Sequence, residues 1–235
     1  MRPTRITAAA AAALALVTLT MPVRAQNDVN RLVANGGIKA PGWKGVIDAS
    51  EASRGEKLEN ARLAEESGTL HVTTGPAVTY WKPANTASGD YTVLATFTEP
   101  EYMNLNDHPH PYGIMIGGNG MGTDQQSYLY CAAYGNGTFI VRGFGPEPFK
   151  LNGPRPEANA AVHKAAGKGQ PVTQEIALSV KGDKVQCAVN GSVVGSYDKS
   201  AVLGAGKLQS TDGVYGIRLS HNAEVKVTGL KVVKQ

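Results

Sequence analysis

The sequence predicts an all-β fold, an antiparallel sandwich or barrel, and three observations carry that prediction. Some twelve short segments alternate apolar and polar residues with period two. Turn chemistry separates many of them, with "GNG" at 135–137, "KGDK" at 181–184 and "NG" at 190–191. Glycine is abundant, 28 residues of 235, while few stretches hold a helical apolar period. Hairpin-length turns join neighbouring strands antiparallel, whereas a parallel sheet needs long crossovers.

In chain order, the first element is a leader. Arg2 and Arg5 precede an apolar run from Ala8 to Leu19, and "VRAQ" places small residues at Val23 and Ala25. This is the pattern of a secretory signal peptide over residues 1–25, cleaved after Ala25, and it predicts a periplasmic or secreted protein. Its apolar run is too short to span a bilayer. Three of the 23 Lys+Arg residues lie in the leader (Arg2, Arg5, Arg24), which leaves 20 bases against 19 acids. The remaining chain has no basic excess to recruit nucleic acid or an anionic membrane, and no membrane insertion is expected. Oligomeric state is not set by any pattern in the sequence.

Residues 26–235 read as a single domain, opening with an irregular arm over 26–42. Asp48 with Glu51 three residues on has the spacing of a capping box, so "DASEASRG" (48–55) predicts one short N-terminal helix closed by Gly55. Strands are expected at "KLENARLA", "TLHVTTG", "AVTYW", "DYTVLATFT", "YGIMIGG", "SYLYCAAY" and "TFIVRGF". After a break come "TQEIALSVK", "KVQCAVN", "SVVGSYD", "GVYGIRLS" and "AEVKVTGLKVV". The break is residues 145–172, rich in proline and then alanine, expected as a long loop with a short helix near 158–166.

Alternation sorts side chains into faces. Leu129, Cys131 and Ala133 share one face of their strand, Ile114 and Ile116 of theirs, and Phe139 and Val141 of theirs; these apolar sets belong inside. Cys187 points inward with Val185 and Val189. Cys131 and Cys187, the only cysteines, therefore face one interior, as a disulfide or as two buried thiols. The opposite face gathers Tyr128, Tyr130, Arg142, Phe144 and Met115. Flat rings stack on the apolar faces of sugars while Arg and Tyr hydrogen-bond the rims, so this face is a candidate saccharide-binding surface. The competing reading has the 145–172 loop folded over it as a second core.

One cluster suggests other chemistry. "NLNDHPHPYGIMIGG" places His108 and His110 two apart, each followed by proline, beside Asp107. Extended backbone before proline puts both imidazoles on one side. They read as rim residues of a stiff loop, with a shared metal, joined by Asp107 or Glu101, as the sharper alternative. His71, His163 and His221 look scattered. His108, His110, Asp107 and Glu101 are also the only acid-base candidates beside the aromatic face.

The segment "VTQEIALSVKGDKVQCAVNGSVVGSYDKS" followed by "DGVYGIRLSHNAEVKVTGLKVV" resembles the end of a concanavalin A-like lectin/glucanase jelly roll. Within that superfamily it is similar to the 3-keto-disaccharide hydrolase domain, an exported bacterial family, over residues 68–235. The resemblance implies a jelly-roll sandwich and a glycan-related function. Glucanases of the superfamily carry alternating acids, as in E-x-D-x-E, where this chain has "SYLYCAAY", so the resemblance brings no catalytic residue with it. It does imply that a structural calcium is common, held mainly by backbone carbonyls; Asp124 is the side-chain candidate, against a solvated turn. No other cofactor is expected. The leading expectation is a non-catalytic glycan-binding protein; a glycoside-acting hydrolase and a structural envelope protein are the alternatives.

Overall fold

A computed structural model describes residues 29–104, 107–145 and 148–234, so the leader lies outside the described residues. The described residues form sixteen strands in two facing sheets, an all-β jelly-roll sandwich. They are β1 (Gly37–Lys39), β2 (Lys44–Ile47), β3 (Ala61–Glu66), β4 (Thr69–Thr74), β5 (Val78–Ala87), β6 (Tyr91–Glu99), β7 (Tyr112–Asn119) and β8 (Ser127–Tyr134). There follow β9 (Thr138–Phe144), β10 (Pro148–Lys150), β11 (Glu157–Ala158), β12 (Val172–Lys181), β13 (Lys184–Val189), β14 (Ser192–Asp198), β15 (Gly213–Leu219) and β16 (Glu224–Lys234). Two four-residue helices, α1 (Ala49–Ala52) and α2 (Lys199–Val202), accompany them. No described helix is long and apolar enough to cross a membrane.

The first sheet runs β1-β3-β4-β16-β6-β12-β13-β14, and the second β10-β9-β8-β7-β15-β5-β2, with β11 also on β9. Among the described strands every pairing is antiparallel except β1 with β3. Alternation fixes register here: Val93 faces Leu178 and Ala95 faces Ile176 between β6 and β12, and all four are buried. A slip of one residue would turn that apolar row to solvent. Asn190 and Gly191 both take positive φ, 49° and 79°, and close the β13–β14 hairpin as the Asn-Gly pair requires.

The interior lies between the sheets, where Ile114, Ile116, Leu129, Cys131, Phe139 and Val141 meet Ile176, Leu178, Val185, Cys187 and Val189. Each large aliphatic or aromatic side chain so buried contributes about 1.5–3 kcal/mol. Cys131 of β8 and Cys187 of β13 are joined in a disulfide, Cα atoms 6.0 Å apart, linking the two sheets through the core.

Five local expectations need correction. The arm is not irregular throughout, because β1 within it adds to the first sheet and β2 just after it adds to the second. These short edges lack the alternation that marks central strands. "KLENARLA" opens with a 3-10 turn at Leu58–Asn60 before becoming β3. α2 is a second helix that no sequence signal announced. Asp48 makes no side-chain cap on α1, since its carboxylate is taken by Arg218.

The helix expected near 158–166 is also absent. Val162 is buried in the main core instead. The backbone around it is satisfied by side chains of the first sheet: His163 N–H donates to Gln174 Oε1, Gln174 Nε2 donates to His163 O, and Asn190 Nδ2 donates to Ala161 O. Side-chain partners of this kind replace helical hydrogen bonds. Two short strands of the long connection lie along the edge of the second sheet, β10 pairing with Arg142–Phe144 and β11 with Thr138–Phe139.

Candidate functional site

The outer face of the second sheet carries a separate buried cluster of Trp81, Met115, Tyr128, Tyr130, Ala132 and Ile140, with Tyr134 and Phe144 packed partly exposed against it. Register assembles it. Met115 pairs with Tyr130, Tyr130 with Arg142, and Tyr128 with Phe144, so three strands place their outward side chains in adjoining rows. The adjacent row reads Thr79, Arg218, Gly113, Ala132 and Ile140 across five strands. Small residues at 113 and 132 leave room beside Arg218, whose guanidinium lies 5.7 Å from the ring centres of both Tyr130 and Phe144. Such cation–π placement is favourable where water is excluded.

Above this floor is a cavity of about 300 Å³. Tyr130, Tyr134, Arg142, Phe144 and Arg218 line its base, Phe149 of β10 forms one wall, and Asp48 and Glu51 form another. The 145–172 connection therefore walls the cavity with β10 and does not fill it. Of the side chains expected on this face, Tyr130, Arg142 and Phe144 border the cavity, while Met115 and Tyr128 lie beneath, fully buried. Sequence alternation could not separate lining from floor, because both share one face. Arg218, Tyr134, Phe149, Asp48 and Glu51 were not among the sequence candidates; Arg218 alternates onto the outward face of β15 and was recoverable from that parity.

Electrostatics here is polarised. Arg218 Nη2 lies 2.6 Å from Asp48 Oδ2, a bridge whose side chains are 7% and 20% exposed. Burial acts to lower the Arg218 pKa, but the Asp48 carboxylate, Tyr128 and Tyr130 together outweigh it and the net shift is upward, so the cation persists. Burial also raises Tyr130, against the lowering effect of Arg218 and Arg142, and lifts Tyr134 to about 12. Both phenols keep their protons at neutral pH and remain donors. Arg142 Nε is buried with no hydrogen-bond partner among the described residues. Burial acts to raise the Glu51 pKa, yet hydrogen bonds from Asn30 and Arg54 prevail and hold it below its ordinary value, so it stays anionic.

His221, in the turn after β15, also borders the cavity. It is not scattered from the other histidines: His108, His110 and His221 each offer a ring nitrogen, all within 4.8 Å of one another. The cause is register. Leu219 pairs with Tyr112, and two residues beyond each, the same antiparallel count sets His221 against His110. Ser220 N–H donates to Pro111 O at 2.9 Å and holds the two chains together past the last ladder pair. The ring centres of His110 and His221 are 4.5 Å apart, edge to face. Burial, then the nearby His221 and His108, lower His110 to about 3. Asp107 bonds to the exposed His108. Glu101 is separate, bonded to Asn104 and outside the trio. Asp124 is exposed in the turn after β7.

No family model matches the sequence, and no curated protein matches it. Among solved structures, the chain is similar to a Bacillus subtilis protein of unknown function with a galectin-like fold, 12% identical, with a TM-score of 0.55 over 82% of this chain and 89% of that one. It is also similar to a carbohydrate binding module from Bacillus subtilis, 10% identical over 85% and 99% of the two chains, with a TM-score of 0.47. A galectin from Caenorhabditis elegans is 11% identical over 76% and 99%, with a TM-score of 0.40. The first likeness shows the fold, a galectin-like β-sandwich.

Proposed function

We propose that the protein is an exported saccharide-binding protein whose ligand sits in the cavity on the outer face of the second sheet. One observation carries this reading: Tyr130, Tyr134, Phe144 and Phe149 share a single cavity of about 300 Å³ with Arg142 and Arg218. Aromatic faces offer stacking surface to the C–H face of a sugar ring, and guanidinium and phenol donors suit its hydroxyls. The volume is at the small end for ligand pockets and fits a short saccharide. The leader pattern and the core disulfide both accord with an oxidising, extracytoplasmic compartment.

A glycan array followed by calorimetry on the best sugar tests the proposal. Tyr130→Ala and Phe144→Ala are each expected to weaken binding about tenfold, as loss of a stacking contact of about 1.4 kcal/mol implies. Unchanged affinity in both variants would refute stacking, and a protein that binds no glycan would be left with a structural role in the envelope.

A second reading, an enzyme of the 3-keto-disaccharide hydrolase type, is favoured by one feature, three convergent histidines of which His221 borders the same cavity. Incubation with a 3-keto-disaccharide separates the two. Release of monosaccharide that is lost in His221→Ala supports the enzyme, whereas binding without turnover supports the first reading.

A further inference from the structure

We propose that His108, His110 and His221 form a site for one divalent transition-metal ion of the borderline class that zinc represents. Three imidazoles with no thiolate suit zinc, nickel, copper or cobalt and disfavour calcium and magnesium, which take oxygen ligands. Three protein nitrogens also leave a fourth coordination position for water or a ligand atom. Of the three rings, His221 borders the cavity, so the trio adjoins it through that ring. The site stands on the histidines alone and does not depend on saccharide binding.

The hydrogen bonds around the trio set the ring nitrogens in the state a metal needs. His108 Nδ1 lies 2.7 Å from Asp107 Oδ1. A carboxylate only accepts, so Nδ1 carries the proton and Nε2 keeps its lone pair. His221 Nδ1 lies 3.2 Å from Asn30 Oδ1. The orientation of that amide is fixed, because Asn30 Nδ2 donates to Glu51 Oε2 at 2.8 Å and to Glu56 Oε1 at 2.9 Å. Asn30 therefore presents its oxygen to His221, which donates from Nδ1 and keeps the Nε2 lone pair. Carboxylate or amide partners behind ligating histidines are what orients them in metal sites. Here Asp107 stands behind one ring, and Glu51 and Glu56 stand behind another through Asn30. These carboxylates also supply negative charge that offsets an incoming dication near Arg31.

The scale of the cluster is close to what is needed. Metal–nitrogen bonds of 2.0–2.1 Å in a tetrahedral site set the nitrogens about 3.4 Å apart. The trio spans up to 4.8 Å without an ion. Rotation of the exposed His108 side chain closes most of the difference, while buried His110 and the anchored His221 form the fixed half of the site. A purely structural histidine pack gives no reason for one ring to be braced by a carboxylate and a second by an amide that two carboxylates hold.

The test uses the exported chain stripped with a chelator and dialysed. Zinc chloride titrated by calorimetry should bind one ion per chain, and cobalt chloride should produce the intense visible bands of a low-symmetry tetrahedral site. Calcium chloride should give neither signal. His221→Ala is expected to lower zinc affinity at least about a hundredfold, and Asn30→Ala about tenfold through loss of the brace. His163→Ala, whose ring bonds to Thr173 O elsewhere on the surface, should bind as the parent does. Circular dichroism establishes that each variant is folded; if His221→Ala is not, the exposed His108→Ala decides in its place. Absence of visible cobalt bands, or zinc affinity unchanged in the folded histidine variant, overturns the site.

Discussion

Arg218 and Asp48, on β15 and at the start of α1, form a bridge 2.6 Å long in a place where the arginine side chain is only 7% exposed. Arg218 also sits over Tyr130 and Phe144, so the pair ties the first helix to the cavity floor. Asp48→Ala leaves a buried guanidinium uncompensated, and the expected loss is about 3 kcal/mol, the lower end for a broken buried pair because Asp48 is partly exposed. Urea midpoints measure it. The double variant Asp48→Leu, Arg218→Met should recover most of that stability, since an apolar pair of similar volume is often neutral. A single variant as stable as the parent would show that solvent, not Asp48, compensates the arginine.

Glu99 makes stability depend on pH. Burial raises its pKa from the ordinary 4.5 to about 7, partly offset by the Met103 N–H, and its Oε2 is buried with no hydrogen-bond partner among the described residues. A carboxyl whose folded pKa exceeds its unfolded value contributes stability that is fully present below pH 4.5 and lost as pH rises through about 7. Between those limits the loss amounts to about 3 kcal/mol. The stability of the parent relative to Glu99→Gln should therefore fall from about pH 5 to about pH 8, a comparison in which the opposing contribution of His110 cancels. A parent and variant with parallel profiles would assign the pH dependence to another group.

The Cys131–Cys187 bridge spans 56 residues of sequence and joins β8 to β13 across the core. Closing a loop of that length removes about 4 kcal/mol of unfolded-state entropy in the chain-entropy model. The double variant Cys131→Ala, Cys187→Ala should lose stability of this order in guanidinium titrations. A loss below about 1 kcal/mol would mean that packing of the two sheets, not the cross-link, sets the stability.

Much of this fold was legible in period-two alternation, and the exceptions have physical causes. Ile114, Ile116, Leu129, Cys131 and Cys187 could be assigned inward because central strands pack one face against another sheet. β1 and β2 escaped notice because short edge strands with glycine carry no such pattern. The cavity's aromatic rows followed from the same parity, but its acidic wall did not, because Asp48 and Glu51 come from a helical turn distant in sequence. His221 was invisible as a partner of His110 because their meeting depends on which residue of β15 opposes Tyr112. One sequence does not state that register.

Face parity grouped Tyr128 and Met115 with Tyr130, Arg142 and Phe144, whereas their burial places them in the layer beneath the cavity. The Thr79 hydroxyl bonds to Tyr128 Oη at 2.9 Å under the cavity, and Met115 is fully buried beside it. Tyr128→Phe should cost about 1 kcal/mol of stability, the net value of one buried hydrogen bond, and Met115→Leu less than about 1.5 kcal/mol as a volume-conserving change. Both should leave saccharide affinity within about threefold of the parent, under 1 kcal/mol of binding energy. Phe144→Ala and Tyr134→Ala, which remove rings bordering the cavity, should each weaken it about tenfold. Calorimetry on all four variants separates floor from contact: equal losses across the set would mean that affinity follows the rigidity of the whole aromatic layer and not ring-to-sugar stacking.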